Sequence, residues 1–455
     1  MATRYLYELT LTLLLLCSSP IFGQDETAET PASEDQQPGN PGNHKPERWN
    51  VHFQITSIVQ HHGSFYSKYE GENSLPAHAE NRVSITATVF MTVRLNSNLD
   101  VILNPEIAGG KGFGDVTGIA GFTNGEMPRV QTATPKLYLA RGYLRGSWAL
   151  GDGTKFVEDG PNQLAGQQPI RRLTVLVGKF AVTDYFDCNT YSHDPRTQFM
   201  NWSLMYNGAW DYPADVRGYT IGVMQELTMR RWSVRTAMVM EPTTANGPTL
   251  DTRMTKNRGQ LAEGELRFTT KGNPGKLRVL GFLHREDAGT FREALSIGGN
   301  PPDLGPTRRS GTHKYGTALN LEQSLAEGIG LFSRYGWSDG KTETWAFTQI
   351  DRSISGGVSI NGRFWKRPAD HIGVAAVRNY LSGDQRSFLS AGGVGFIIGD
   401  GRLTYGPESI VEAYYAWRAV KGWTITGDYQ HIQNPAYNRD RGPVDAISIR
   451  LHWEK

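Results

Sequence analysis

Cysteine is almost absent from this chain: among 455 residues there are two, Cys17 and Cys188. Cys17 closes an early apolar run, so an exported mature chain would hold one thiol and no intrachain disulfide. Its stability must then come from its hydrogen-bonded network. Cys188 lies between Asp187 and Asn189, in acidic surroundings that raise a thiol pKa, which argues against an activated nucleophile. Long apolar runs are missing after that early stretch, which excludes membrane-crossing helices, since each needs roughly 20 apolar residues. Excess charge is missing too, with 47 basic residues against 45 acidic and a net +2. The mean hydropathy of −0.45 suits a soluble protein. It suits a membrane barrel equally well, because each spanning strand gives only every second residue to lipid.

The beginning of the chain reads as processing sequence. Arg4 precedes Leu13, Leu14, Leu15 and Leu16, and small or turn-forming residues run from Ser18 to Gly23. This pattern predicts a secretory signal peptide over 1–23, with an uncut anchor as the alternative. Leu16 is too bulky for the position before a lipidated cysteine. Residues 24–48 are acidic and proline-rich, with Asp25, Glu26, Glu29, Glu34, Asp35 and Glu47 among Pro31, Pro38, Pro41 and Pro46. Such a stretch cannot bury a core and predicts a disordered linker. The rest, 49–455, holds 44 basic and 38 acidic residues, a balance of +6 that favours neutral or anionic solutes and not nucleic acid.

From Trp49 onward the pattern is alternation. Val51, Phe53 and Ile55 alternate with His52, Gln54 and Thr56; Val411, Ala413, Tyr415 and Trp417 alternate with Glu408, Glu412 and Arg418. In the last segment, Ile447, Ile449, Leu451 and Trp453 share one face, and Ser448, Arg450, His452 and Glu454 the other. A period of two predicts strands with one apolar and one polar face. The apolar face could meet the core of a soluble sheet or the lipid around a barrel. Long turn-rich connections at 109–124, 151–168, 242–259, 298–313 and 382–401 favour the barrel, in which long extracellular loops oppose short periplasmic turns. At roughly 25 residues per strand and connection, about 16 antiparallel strands follow, a size that leaves an aqueous channel. The predicted fold is therefore an all-β transmembrane antiparallel barrel over 49–455. No helix beyond a single turn in a loop is expected.

Gly178, Lys179, Phe180, then Asp184, Phe186, Asp187, Asn189, Tyr191, then Asp194, Pro195, Arg196, Gln198, Phe199, Met200, Asn201 and Trp202 form a long, varied signature. Trp210, Asp211, Tyr212, Arg217, Gly218 and Tyr219 extend it. Asn104, Pro105 and Glu106, Gly121 to Glu126, Tyr405 to Glu412 and Asn434 to Arg439 flank it. This set resembles the carbohydrate-selective OprB-type porins over nearly all of 49–455. The resemblance implies a sixteen-stranded outer-membrane barrel passing sugars by passive diffusion, inserted by the barrel assembly machinery into outer-membrane lipid as a monomer or homotrimer. Such barrels usually end on an aromatic residue; here Glu454 and Lys455 follow Trp453.

A channel that prefers sugars needs aromatic faces and hydrogen-bonding charges that hold the solute only weakly. Asp184, Asp187, Asn189, Tyr191, Asp194, Arg196, Trp202 and Trp210 supply that mixture and are expected to fold inward and narrow the pore. The alternative for each is a structural tie between loop and wall. Alternation also places Glu226, Arg235, Glu263, Glu265 and Arg267 in the lumen, because charge facing lipid is costly. Arg141 and Arg145 share a strand face with Leu137 and Leu139, so their direction is open. Generic solvation of the wall competes with solute contact for all of these. No cofactor is expected. Acid pairs such as Asp184 with Asp187 or Glu263 with Glu265 occur too commonly to indicate a glycosidase. Adjacent His61 and His62 point to opposite faces and make a poor metal pair. A soluble, exported β-rich carbohydrate-binding protein or hydrolase is the alternative to the porin.

Overall fold

The computed structural model describes residues 47–127 and 133–455; the leader and the acidic segment up to residue 46 lie outside them. Sixteen strands close an antiparallel barrel: β1 (Trp49–His62), β2 (Glu80–Asn96), β3 (Leu99–Gly110), β4 (Lys136–Ala149), β7 (Arg172–Phe180), β8 (Thr220–Thr228), β9 (Trp232–Val239), β10 (Arg258–Thr270), β11 (Asn273–Glu286), β12 (Thr312–Ala326), β13 (Ile329–Ser338), β14 (Arg352–Asn361), β15 (His371–Tyr380), β16 (Glu408–Val420), β17 (Trp423–Gln433) and β18 (Val444–Glu454). A hairpin of β5 (Thr154–Val157) and β6 (Gly166–Pro169) stands apart. Strand β18 closes on β1 with Ile55 opposite Trp453. Closure removes the open edges that no lipid could satisfy. Among the described residues no helix is long and apolar enough to cross a membrane.

The alternation read from the sequence sets the faces. Ile447 and Ile449 are 57% and 56% exposed on the outer wall, while Ser448, Arg450 and His452 turn inward and are buried. Val177, Val223, Leu266, Val279 and Val411 extend the outer apolar belt, and Trp49, Trp148, Trp232 and Trp417 stand near its short-turn edge. An apolar belt edged with aromatics matches a bilayer and its interfaces. One departure from strict alternation decides a direction the sequence leaves open. Pro105 has no N–H, and the β3–β4 register slips there, pairing Asn104 with Arg141 but Pro105 with Leu139. The extra residue, Ala140, inverts the parity of β4. Leu137 and Leu139 therefore face outward, and Arg141 and Arg145 face the lumen.

Most turns at one end are short: 97–98, 229–231, 271–272, 327–328 and 421–422. Lys271 and Gly272 both have positive φ, 51° and 82°, which suits a two-residue hairpin on right-twisted strands. The long connection expected over 151–168 belongs to this end, not to the loop end. It forms the β5–β6 hairpin and turns back over the barrel mouth, where Asn50 donates to the Gln163 carbonyl at 2.6 Å and Arg145 to the Asn162 carbonyl at 2.8 Å. At the opposite end, eight longer loops include helices at Phe291–Ile297 and Gly383–Ser390, more than the single turn predicted. Ser382 caps the second, accepting from Gln385 N at 3.1 Å.

Candidate lumenal site

The loop 181–219, between β7 and β8, enters the barrel and crosses it. A buried backbone must find partners, and wall side chains supply them from strands far away in sequence. Glu263 of β10 accepts from Asp187 N at 2.8 Å, and Glu322 of β12 from Thr190 N at 2.8 Å. Glu412 of β16 accepts from Met200 N and Asn201 N at 2.5 and 3.0 Å. Arg450 of β18 donates to the carbonyls of Pro195 and Gln198, both at 2.7 Å. Arg450, on the inward polar row of the last strand, thus meets a folded loop. Asp187 is buried against Arg334 of β13 at 3.1 Å and accepts from Asn207 N at 2.7 Å and from Asn320.

Above the loop, toward the long-loop end, the lumen is packed with apolar side chains. Trp202 is 4% exposed and stacks on Phe122 and Tyr212, with ring centroids 4.7 and 5.6 Å away. Trp210 is equally enclosed. Both lie in the packed interior and present no face to a passing solute. Asp211 accepts from Lys314 Nζ and Trp345 N at 2.9 Å and from Phe347 N at 2.7 Å. Burial pushes its carboxyl up, but Lys314 and these N–H groups outweigh it and hold the group below the ordinary carboxylate value.

Below the loop, two ionic clusters keep partial exposure. On the β3–β4 side, Arg141 grips Asp184 with two bonds of 2.6 Å and lies over the Tyr219 ring at 5.3 Å. Arg196 reaches Glu126 at 2.8 Å, Glu106 at 3.0 Å and Thr88 at 3.0 Å, and Tyr219 also donates to Glu106 at 2.9 Å. On the β8–β12 side, Arg235 bridges Glu263 at 2.8 Å and Glu226 at 3.3 Å. Arg278 bridges Glu265 at 2.8 Å and Glu322 at 3.1 Å, and Arg267 joins Glu265 at 2.5 Å. The side chains of Asp184, Arg267 and Lys276 remain 27%, 21% and 23% exposed and line the solvated lumen. Tyr191 is half-buried, with its ring over Gly330, where a Cβ would come within 2.0 Å of it. Glycine at that position leaves room for the ring.

The residues singled out in the sequence therefore divide. Asp187, Asn189 and Glu263 are buried ties between loop and wall; Asn189 donates to Asn320 at 2.7 Å and Arg235 to the Tyr185 carbonyl at 2.7 Å. Asp194 caps its own turn, accepting from Arg196 N at 2.9 Å. Arg145 pairs with Asp100 at 2.9 Å near the short-turn mouth. Asp184, Tyr191, Arg196, Arg141, Glu226 and Arg267 keep partial exposure in the lumen, whereas Glu265 is buried between Arg278 and Arg267. Arg278, Glu322, Tyr138 and Lys276 were not singled out, although the inward rows of their strands carry the same alternation signal. In both acid pairs each carboxylate is tied to an arginine: Asp184 to Arg141, Asp187 to Arg334, Glu263 to Arg235 and Glu265 to Arg278. Cys188 points at the Asp184 carbonyl, 3.5 Å away, and burial pushes its thiol up to about 12. Among the described residues no group of three His, Cys, Asp or Glu could hold a metal ion.

The barrel has a counterpart of the same fold among solved structures. The chain is similar to the high-pH structure of Pseudomonas putida OprB, with a TM-score of 0.68, 16% identity, and coverage of 90% of this chain and 94% of that one. The low-pH structure of the same protein gives a TM-score of 0.49, 12% identity, and coverage of 90% and 93%. The outer membrane channel DcaP of Acinetobacter baumannii gives 0.49, 9% identity, and coverage of 90% and 97%. No curated protein matches the sequence. The model of the carbohydrate-selective porin family, OprB, matches residues 91–454, four-fifths of the chain. With its closed sixteen-strand barrel and charged lumen, the chain belongs to the OprB family of carbohydrate-selective porins and is an outer-membrane channel.

Proposed function

We propose that neutral sugars diffuse passively through the solvated half of the lumen, between the Arg141–Asp184 cluster and the Arg235–Glu265–Arg278 cluster. The observation that carries this is the alternation of guanidinium and carboxylate groups along the inner wall from β4 to β12, with the Tyr191 ring beside its β12–β13 end. Paired charges give a wall with little net field that can still exchange hydrogen bonds with hydroxyls. A ring beside them offers a face for the apolar side of a pyranose. Because every charge already has a partner, no solute is held strongly, and release stays fast. The outer belt is in contact with outer-membrane lipid. β18, with Trp453 outward, is the strand we assign to recognition by the barrel assembly machinery. A closed barrel needs no partner to complete its sheet, so one chain is the conducting unit, alone or in a homotrimer.

In planar bilayers, sugars added to the bath are expected to reduce ion current through the open channel. Tyr191→Ala should weaken that block about fivefold, the loss of roughly 1 kcal/mol of ring contact, with basal conductance nearly unchanged. Block that is unaltered in this variant would remove Tyr191 from the path. Absence of any block by any sugar would sink the sugar channel itself. Liposome swelling that runs equally fast with sugars and with amino acids of the same mass would reduce the protein to a size filter.

A further inference from the structure

The short-turn end of the barrel carries a ring of unpaired positive charge. Arg230 and Arg231 at one turn, Lys271, Lys366 and Lys421 at others, and Lys155 on the hairpin are all exposed. None of them has an ion-pair partner among the described residues. The acids of the same rim are mostly engaged: Asp159 with His52, Asp370 with Arg367, Glu454 with Arg418 and Glu327 with Arg363. Among the described side chains of this rim, Asp152 and Glu158 of the hairpin stand exposed without such a pair. A rim with this imbalance concentrates anions at the mouth, which serves a channel for neutral solutes poorly.

Residues 24–46 carry the complementary charge, with Asp25, Glu26, Glu29, Glu34 and Asp35 against Lys45 alone. The described chain begins at this rim. Glu47 N donates to the Ala165 carbonyl at 3.3 Å, and the Glu47 carboxylate accepts from Ala165 N at 2.8 Å. Arg48 then pairs with Arg94 at the edge of β2. The acidic segment therefore leaves the barrel beside the hairpin, among the unpaired cations. A random coil of this length would span on the order of 25 Å and a fully extended one about 75 Å, enough for the turns on either side. Tethered so closely, its effective concentration at the rim is on the millimolar scale.

We propose that the acidic segment 24–46 docks on the basic short-turn rim and screens its positive charge, so that the mouth does not select for anions. The contact is electrostatic and multivalent. It weakens with salt as the Debye length shrinks. The docked segment neutralises Arg230, Arg231 and their neighbours and leaves the paired lumenal clusters untouched.

The test compares the full chain with a variant lacking 24–46 but retaining the leader, both confirmed as heat-modifiable barrels. In a potassium chloride gradient near 0.1 M, the deletion is expected to raise the chloride-over-potassium permeability ratio about two- to threefold, and the difference should vanish near 1 M. A synthetic peptide of residues 24–46, added on the short-turn side, should reverse the shift. In the full chain, carbodiimide should link Glu29, Glu34 or Asp35 to Lys271, Lys366 or Lys421. In an Arg230→Glu, Arg231→Glu background the deletion should change the ratio much less. An unchanged ratio after deletion, or links only to the long loops, would overturn the proposal. So would a ratio that follows the phosphatidylglycerol content of the bilayer and ignores the segment, because the rim would then hold lipid headgroups. Sugar block is read in the same records, so failure of the docking is separable from failure of the sugar channel.

Discussion

Glu241, just beyond β9, is buried with its Oε1 3.1 Å from His284 Nδ1, and neither of its oxygens receives a well-directed hydrogen bond. Burial, followed by the negative charge of Asp211, pushes its carboxyl well above the ordinary 4.5, while Lys314 opposes them. A raised folded pKa means that the native state holds a proton the unfolded chain would release. The stabilisation is fully present below about pH 4.5 and is lost as pH rises toward the folded value. Glu241→Gln should therefore unfold at a higher temperature than the natural chain at pH 8. The two should converge near pH 4. Melting curves in detergent at both pH values check this, and equal Tm at pH 8 would mean that Glu241 is ionised at no cost.

Among the elements, the loop 181–219 is the one whose conformation depends most on distant residues. Its acceptors and donors come from β10, β12, β13, β16 and β18, and Asp187 with Arg334 is its most deeply buried ionic tie. Removing one partner of such a pair leaves a buried charge uncompensated, at about 3–5 kcal/mol. Asp187→Ala should release the loop while the barrel stays closed. Limited proteolysis is expected to cut within 184–205 in the variant and not in the natural chain, and the temperature of heat modification should fall. A loop equally protected in the variant would show that the Glu412 and Arg450 contacts suffice. The sequence marks this segment as unusual in composition. It does not reveal that its carboxylates and amides would be spent on the wall, because partners such as Asp187 and Arg334 lie 147 positions apart.

At the scale of the whole molecule, the barrel is polar within and apolar without, so the cost of a substitution depends on face and depth. Val279, at the middle of β11, and Leu325, beside a short turn, are both outward and exposed. Val279→Arg should cost about 2–4 kcal/mol, and Leu325→Arg about 0–1, because charge near the interface reaches water. Urea-dependent folding into lipid vesicles reads both, and equal costs would place the bilayer elsewhere on the wall.

Alternation alone determined the strands, their two faces, their approximate number and the lumenal direction of Glu263, Arg235 and Arg450, because a period of two fixes which side each residue takes. Only the tertiary structure decided which inward residues stay wet. Pro105 removed one ladder bond and turned Arg141 and Arg145 inward. The loop then covered Arg450 and Glu412, buried its own Asp187 against Arg334, enclosed Trp202 and Trp210 in packing, and left Asp184, Tyr191 and Arg267 partly exposed in the lumen. Burial is a property of what comes to lie against a residue. In this chain that was settled by contacts between positions hundreds of residues apart, which no local pattern encodes.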